Sequence, residues 1–309
     1  MAKHSSDTPD PTRRAVLECM LWAGSGVVWT MVGGIPRSSV LAATPAGATG
    51  FSFVQISDSH LGFSAAPTTD VTATLQAALD RAKRQYSPVM MIHTGDVSHL
   101  SRPAQFDTAA QMIGATGIET HYVPGEHDVL DDDGKSFFAR FTKGGPRGWY
   151  SFDQAGVHFV GLNNVQNLQA GGLGFLGADQ LEWLTKDLAG RAGSTPIVVF
   201  AHVPLWTVSA EWGWGTADAE QALTLLRRFG SVTVLNGHIH QIMQKIEGQV
   251  AFHTARSTAF PQPAPGTAPS PGPMKTVQPG QLRGLLGISR VALVSGTAPL
   301  AIVDATLEA

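Results

Sequence analysis

Seven side chains able to ligate a metal ion stand directly after apolar, strand-like stretches of this chain: Asp58, His60, Asp96, Glu126, His202, His238 and His240. They fall in short clusters, Ser57-Asp58-Ser59-His60, Gly95-Asp96, Gly125-Glu126-His127-Asp128, Ala201-His202 and Asn236-Gly237-His238-Ile239-His240. In α/β sheets the carboxyl edge of the strands is where ligands bind, so acids and imidazoles delivered there from successive strands are expected to meet. Imidazole and carboxylate without thiolate suit Zn, Mn or Fe better than Mg or Ca. Seven such groups exceed the needs of one ion and predict two, with one carboxylate shared. Two cations about 3.5–4 Å apart can hold a bridging hydroxide at neutral pH and clamp both the attacked phosphoryl group and its departing oxygen. The chemistry expected is in-line phosphoester hydrolysis.

Positioning such groups calls for alternating strands and helices, and the chain has that rhythm. Strands are predicted at Phe51–Ile56, Val89–Ile92 and Thr120–Val123, with a helix from Asp70 to Gln85 whose Leu75, Ala78, Leu79 and Ala82 share one face. A helix over Pro103–Ile113 has proline in its first turn. Further on, Trp149–Phe152 and Val157–Leu162 read as a hairpin turning at Ala155-Gly156. A helix at Ala178–Leu188 then leads to a strand at Ile197–Phe200, and a helix at Asp218–Phe229 to a strand at Val232–Leu235. Three more strands, near Val250–His253, Ile288–Val294 and Leu300–Val303, bring the count near ten, which favours two sheets over one. Residues 261–280, rich in Pro and Gly, read as a surface loop, either a cap over the site or a plain connector.

The composition bounds the function. Of 309 residues 43% are hydrophobic and 15% charged, which excludes a disordered or collagen-like chain. With 21 Lys and Arg against 24 Asp and Glu there is no basic excess, so no nucleic-acid polymer is expected as partner. Residues 1–48 read as a separate targeting segment and 49–309 as a single domain. Thr12-Arg13-Arg14-Ala15-Val16-Leu17 precedes an apolar run, Met20 to Val32, too short to span a bilayer comfortably. Small residues Ala42, Ala43, Ala46 and Ala48 follow, with a cut expected between Ala42 and Thr49. The pattern fits a twin-arginine signal recognised by that export machinery, placing the mature chain in the periplasm or outside the cell without a membrane span. The alternative is an uncleaved N-terminal anchor. The single cysteine, Cys19, lies inside this segment, so no disulfide framework is possible.

Taken together, Asp58-Ser59-His60, Gly95-Asp96, Gly125-Glu126-His127-Asp128, His202 and Gly237-His238-Ile239-His240 resemble, in order and spacing, the motifs of the calcineurin-like metallophosphoesterases, over about Phe51 to Phe260. The resemblance is strongest to the branch of the class III cyclic-nucleotide phosphodiesterases, akin to the purple acid phosphatases. It implies an α/β fold of four layers, α/β/β/α, in which a two-sheet β-sandwich is flanked by helices. It implies that Asp58, His60 and His240 hold one ion, that Asp96 bridges, and that His202 and His238 hold the other. His127 would then sit beside the substrate and donate a proton or a hydrogen bond to the leaving oxygen, with Asp128 orienting its ring. One position departs from the family, which usually has Asn where this chain has Glu126. A carboxylate there is expected to ligate the second ion and to make the pair a poorer Lewis acid.

The remaining candidates are ordinary by comparison. His93, His121, His158 and His253 read as structural, and His99 as either a loop residue or one reaching the cavity. Trp206, Trp212 and Trp214 offer a wall on which a flat group could stack, or else core packing. No Gly-x-x-x-x-Gly-Lys loop, His-Glu-x-x-His helix or Gly-x-Ser-x-Gly elbow competes. The sequence therefore predicts an exported hydrolase with two divalent or mixed-valence ions (Fe, Mn or Zn), acting on a small-molecule phosphomonoester or phosphodiester. Its alternative is a metal- or phosphate-binding protein whose hydrolysis is weakened by Glu126.

Overall fold

The structure, a computed structural model, describes residues 27–32, 35–40, 51–142, 145, 147–278, 280–293 and 300–308. It divides into two units, Met1–Thr49 and Gly50–Ala309. In the first, β1 (Val27–Val32) pairs antiparallel with β2 (Ile35–Val40), so the end of the apolar run is extended chain. Arg13, Arg14, Cys19 and the small residues from Ala42 to Ala48 lie outside the described residues. Among the described residues no helix is long and apolar enough to cross a membrane.

The second unit holds two mixed sheets. One has the order β13-β12-β3-β4-β5 and the other β10-β11-β9-β8-β7-β6. In the first, β3 (Ser52–Ile56), β4 (Met90–His93) and β5 (Glu119–Tyr122) run parallel, and β12 (Gly287–Ala292) and β13 (Ala301–Thr306) extend it antiparallel. In the second, β7 (Val157–Gly161), β8 (Ile197–Phe200), β9 (Val232–Asn236) and β11 (Val250–Thr254) are parallel. Antiparallel edges are added by β6 (Tyr150–Gln154) and β10 (Gln244–Glu247). Unbroken runs such as Ile197-Val198-Val199-Phe200 are buried on both faces, which is why they carry no polar alternation.

Three apolar layers hold the unit together. Between the sheets, Phe53, Met90 and Ile92 meet Phe159, Val198, Phe200 and Leu235. The Phe53 and Phe159 rings pack edge to face at 5.5 Å, and truncating Phe159 to Ala would cost about 3–5 kcal/mol. Outside the first sheet, helices Val71–Arg81, Pro103–Gly114 and Lys135–Phe141 cover Val54, Ile56 and Met91. Outside the second, helices Ala178–Leu188 and Ala219–Leu226 cover Val160, Val199 and Val234. This is the expected α/β/β/α sandwich.

Several elements are not expected from the sequence, among them β1, β2, β10 and the helices Lys135–Phe141 and Leu282–Leu285. Strand β10 is a polar edge, Gln244-Lys245-Ile246-Glu247, with Ile246 exposed, so it lacks the apolar alternation that marks a strand. Helix Lys135–Phe141 is under two turns long, and its Phe137, Phe138 and Phe141 are too close together to show a period. The hairpin turn at Ala155-Gly156 stands where expected, both residues having positive φ, as a two-residue turn between twisted strands requires.

Candidate metal centre

The carboxyl ends of β3, β4, β5, β8 and β9 open onto one place. The β3–β4 ladder continues past the strands, Asp58 N donating to Gly95 O at 3.0 Å and His60 N to Asp96 O at 2.9 Å, which delivers Asp58, His60 and Asp96 side by side. From the other sheet, Gly237 N donates to His202 O at 3.0 Å and His238 N to the Asp58 carboxylate at 3.1 Å, locking the His238–His240 loop against β3. Asp58, His60, Asp96, His238 and His240 all have positive φ, between 41° and 69°. That backbone costs roughly 1–2 kcal/mol for each non-glycine residue and persists only because these cross-loop bonds impose it. Close approach also explains two glycines. A Cβ on Gly125 would lie 2.1 Å from Asp96 Oδ1 and 2.3 Å from Asp96 N, and one on Gly237 would lie 2.1 Å from Ser57 Oγ.

All seven sequence candidates converge. Ligand atoms of Asp58, His60 and His240 lie within 4.8 Å of one another, as do those of Glu126, His202 and His238, and those of Asp58, Asp96 and His202. Asp96 Oδ2 is 3.5 Å from His60 Nε2 and 3.5 Å from His202 Nε2, midway between the two groups. Glu126 reaches His202 Nε2 at 2.8 Å with one oxygen and His238 Nδ1 at 3.0 Å with the other. Asp58 Oδ1 is 3.2 Å from His240 Nε2.

The electrostatics of this cluster are those of a cation site. Asp58 and Asp96 are almost fully buried, and among the described residues the ion pairs of Asp58, Asp96 and Glu126 are all to histidine, none to Lys or Arg. Among the described residues Asp58 Oδ2 and His238 Nε2 are buried without a hydrogen-bond partner, while Glu126 Oε2, His202 Nε2 and His238 Nδ1 lie at ion-pair distance within the Glu126–histidine contacts but outside hydrogen-bond geometry. Orphaned polar atoms of this kind are costly in a protein interior unless a ligand meets them, and here they face one another. Burial alone would raise the Asp58 carboxyl, but His240 and His202 hold it down at about 2. Glu126 is likewise kept well below its ordinary range, against burial, by His238 and His202. His60 is pushed well below the usual imidazole value by burial and by His240, His127 and His99, so it is neutral and carries a lone pair. His202 is raised despite burial by Asp96 and Glu126.

Which nitrogen each imidazole offers is set by its outer hydrogen bond. His202 Nδ1 donates to Thr94 O at 2.7 Å and His240 Nδ1 to Phe260 O at 2.6 Å, so both present Nε2 to the centre. Phe260 also stacks on His60 at 4.7 Å between ring centroids. Neither Thr94 nor Phe260 was foreseen, because each acts through a backbone carbonyl that no residue type advertises.

His127 stands at the edge of the cluster. Its N–H donates to Asp96 Oδ1 at 2.9 Å, and its ring Nδ1 donates to the carbonyl of His99 at 2.7 Å, leaving Nε2 free. Burial would lower its ring, but Asp96 and Glu126 raise it. Asp128 does not orient this ring, contrary to the expectation from sequence. Its carboxylate accepts from Val97 N, Ser98 N, Ser98 Oγ and Gly125 N at 2.8–3.0 Å, tying the loop after β4 to the loop after β5. Of the two readings of the tryptophans, core packing is the one the structure supports. Trp212 and Trp214 are buried, packed edge to face at 5.0 Å and grouped with Ile239 of the His238–His240 loop, while Trp206, partly buried, packs on Phe252 in the layer outside the second sheet. His99 does reach the centre, its ring stacked on His127 at 4.8 Å.

The other histidines have structural partners: His93 the Ser59 hydroxyl, His158 the carboxylates of Asp153 and Asp187, His253 that of Asp304, and His121 the ring of Phe152. The proline-rich loop is tied to the site at its start, Gln262 Nε2 donating to His238 O at 2.9 Å.

Fold and donor set together define a metal-dependent hydrolase with a dinuclear centre placed for phosphoester chemistry. The chain belongs to the calcineurin-like phosphoesterases, whose family model it matches over residues 51–242. It is 25% identical over 216 residues, 68% of this chain and 79% of the relative, to a 3′,5′-cyclic-nucleotide phosphodiesterase of Nostoc sp.. Its fold is shared by a dimetal phosphatase from Danio rerio, with a TM-score of 0.60 and 15% identity, covering 84% of this chain and 96% of that one. It is shared as well by a purple acid phosphatase from yellow lupin, with a TM-score of 0.59 and 13% identity, covering 84% of this chain and 52% of that one.

Proposed function

We propose that this chain is an exported hydrolase of a small-molecule phosphoester, with a phosphodiester favoured over a monoester. The observation that carries the reading is the set of buried carboxylates and imidazoles gathered around Asp96, whose ion pairs among the described residues are only with one another. Asp58, His60 and His240 would hold one divalent cation, Glu126, His202 and His238 the other, and Asp96 would be shared; Fe, Mn and Zn all suit these donors. Such a pair supplies Lewis acidity toward a phosphoryl oxygen and a water made acidic enough to attack at neutral pH. The protein's part is to hold these groups fixed and to move a proton. His127, anchored through Nδ1, would present Nε2 to the leaving oxygen as a general acid; Asp96 and Glu126 raise its ring, which favours the protonated form. The diester preference is supported by the cyclic-nucleotide phosphodiesterase among its relatives. Export is supported by Arg13-Arg14 and the apolar run behind them.

Metal analysis of the chain purified without added metal, followed by assays on an aryl phosphate and an aryl phosphodiester with manganese, tests the hydrolase reading. Two bound ions with turnover of the diester is the result expected. Two bound ions without turnover of either ester would support instead a binding protein quenched by Glu126. Changing Arg13 and Arg14 to Lys and following the compartment of the chain tests export.

A further inference from the structure

The outer partners of the cluster's histidines are not alike. His202 and His240 each give their Nδ1–H to a backbone carbonyl. His60 has no carbonyl there: its Nδ1 lies 3.3 Å from the Nδ1 of His99. The opposite nitrogen of His60, Nε2, faces His240 Nε2 at 3.2 Å and Asp96 Oδ2 at 3.5 Å, on the inner side of the cluster. The ring is gripped from two sides, by the face of Phe260 at 4.7 Å and by His127 edge-on at 4.8 Å, so it cannot turn to find another partner. A neutral imidazole carries one N–H. If Nε2 gives its lone pair to a cation, the proton sits on Nδ1 and needs an acceptor, and the lone pair of His99 Nδ1 is in place to be it.

His99 is itself held for this purpose. Its backbone N–H donates to Leu61 O at 3.0 Å, one residue past His60, which fixes the spacing of the two rings. Its ring lies flat on His127, at 17° between planes, and meets the edge of Phe63 at 5.2 Å. It is half-buried, so its outward nitrogen can reach water.

We infer that His99 is a positioning residue of the metal centre, which accepts the Nδ1–H of His60 and thereby fixes His60 in the tautomer that presents Nε2 to a cation. The inference rests on the proposed reading that His60 ligates a cation. Outer-shell partners of metal-bound histidines typically carry 10–100-fold in metal affinity, which sets the expected effect.

The test is a calorimetric titration of the full-length, metal-stripped chain with manganese(II) alone, comparing His99→Phe and His99→Asn with the unchanged protein. Phe keeps an aromatic ring against His127 and Phe63 but has no acceptor. Asn carries a carbonyl oxygen on Cγ, where histidine carries Nδ1. Both variants retain the backbone carbonyl that anchors His127. His99→Phe should weaken one of two manganese sites about 10–100-fold and leave the other unchanged, while His99→Asn should recover most of the loss. Two sites at unaltered affinity in His99→Phe would overturn the inference and leave the two-cation reading standing. So would equal losses in both variants, since packing rather than acceptance would then be at work. An unchanged protein that binds no manganese would overturn both. A thermal melt of each metal-stripped variant separates these effects from loss of fold, and no more than a small shift is expected because the ring is half-exposed.

Discussion

Replacing Asp128 with Asn distinguishes the two roles open to this residue. If it oriented the His127 ring, the change would disturb proton transfer and leave stability alone. The structure puts its carboxylate elsewhere, with Oδ2 accepting from Val97 N and Gly125 N and Oδ1 from Ser98 N and Ser98 Oγ, all buried. An asparagine has only one acceptor oxygen. The better of its two orientations keeps Val97 and Gly125 on that oxygen and turns the amide toward Ser98, whose hydroxyl can rotate to accept while its backbone N–H is stranded. One stranded buried donor costs about 1–3 kcal/mol, and because burial and Asp96 push the Asp128 carboxyl up to about 7, loss of charge adds little, so a loss of about 1–3 kcal/mol is expected. Because the tie joins the loops bearing Asp96 and Glu126, manganese affinity should fall as well. Urea unfolding of the metal-stripped chain reads the first effect and manganese titration the second. An unfolding free energy within about 0.5 kcal/mol of the parent, with only the pH profile of turnover altered, would refute the tie and restore the orienting role.

Three further outcomes follow from other contacts. Glu126→Ala removes the ligating oxygens set between His202 and His238, so bound metal should drop from two ions toward one per chain; two retained ions would show that Glu126 is not a ligand. Gly125→Ala pushes a Cβ to 2.3 Å from the backbone nitrogen of Asp96, which cannot rotate away, and should cost about 1–3 kcal/mol in urea unfolding, whereas a neutral effect would contradict the close approach. Asp304 on β13 receives His253 from β11 at 3.0 Å and the Ser289 hydroxyl, joining the two sheets, and His253 and Ser289 hold its carboxyl below the ordinary value against burial. A depressed carboxyl stabilises the fold above its unfolded pKa and loses that contribution as pH falls through the folded value. Asp304→Asn should therefore cost about 1–2 kcal/mol at pH 7, and the gap should narrow below about pH 4; a gap independent of pH would count against the pairing.

Much of the architecture was legible because its signals are local. Met90 to Ile92 and Ile197 to Phe200 announce buried strands through unbroken apolar runs, and Leu75, Ala78 and Leu79 announce a helix through their spacing. The seven candidate ligands were legible for a related reason, since each follows such a run and the carboxyl edges of parallel strands share one side of a sheet. The polar edge strand Gln244–Glu247 and the short helix Lys135–Phe141 carried no comparable period. The three tryptophans left two readings open because residue type alone does not tell a ring that packs on Ile239 or Phe252 from one that faces a ligand.

By itself the sequence determined the inventory of this site: which acids and imidazoles leave the strand ends, and that no thiolate is among them. Only the tertiary structure decided how each is used. The nitrogen that His202 offers depends on the carbonyl of Thr94, 108 residues away, and that of His240 on the carbonyl of Phe260. Asp128 ties two loops instead of orienting its neighbour's ring, and His99 enters the cluster from a loop with no motif of its own. Every residue carries the same backbone donors and acceptors, so a partner chosen from the main chain leaves no mark in the sequence and becomes visible only when the fold brings the two segments together.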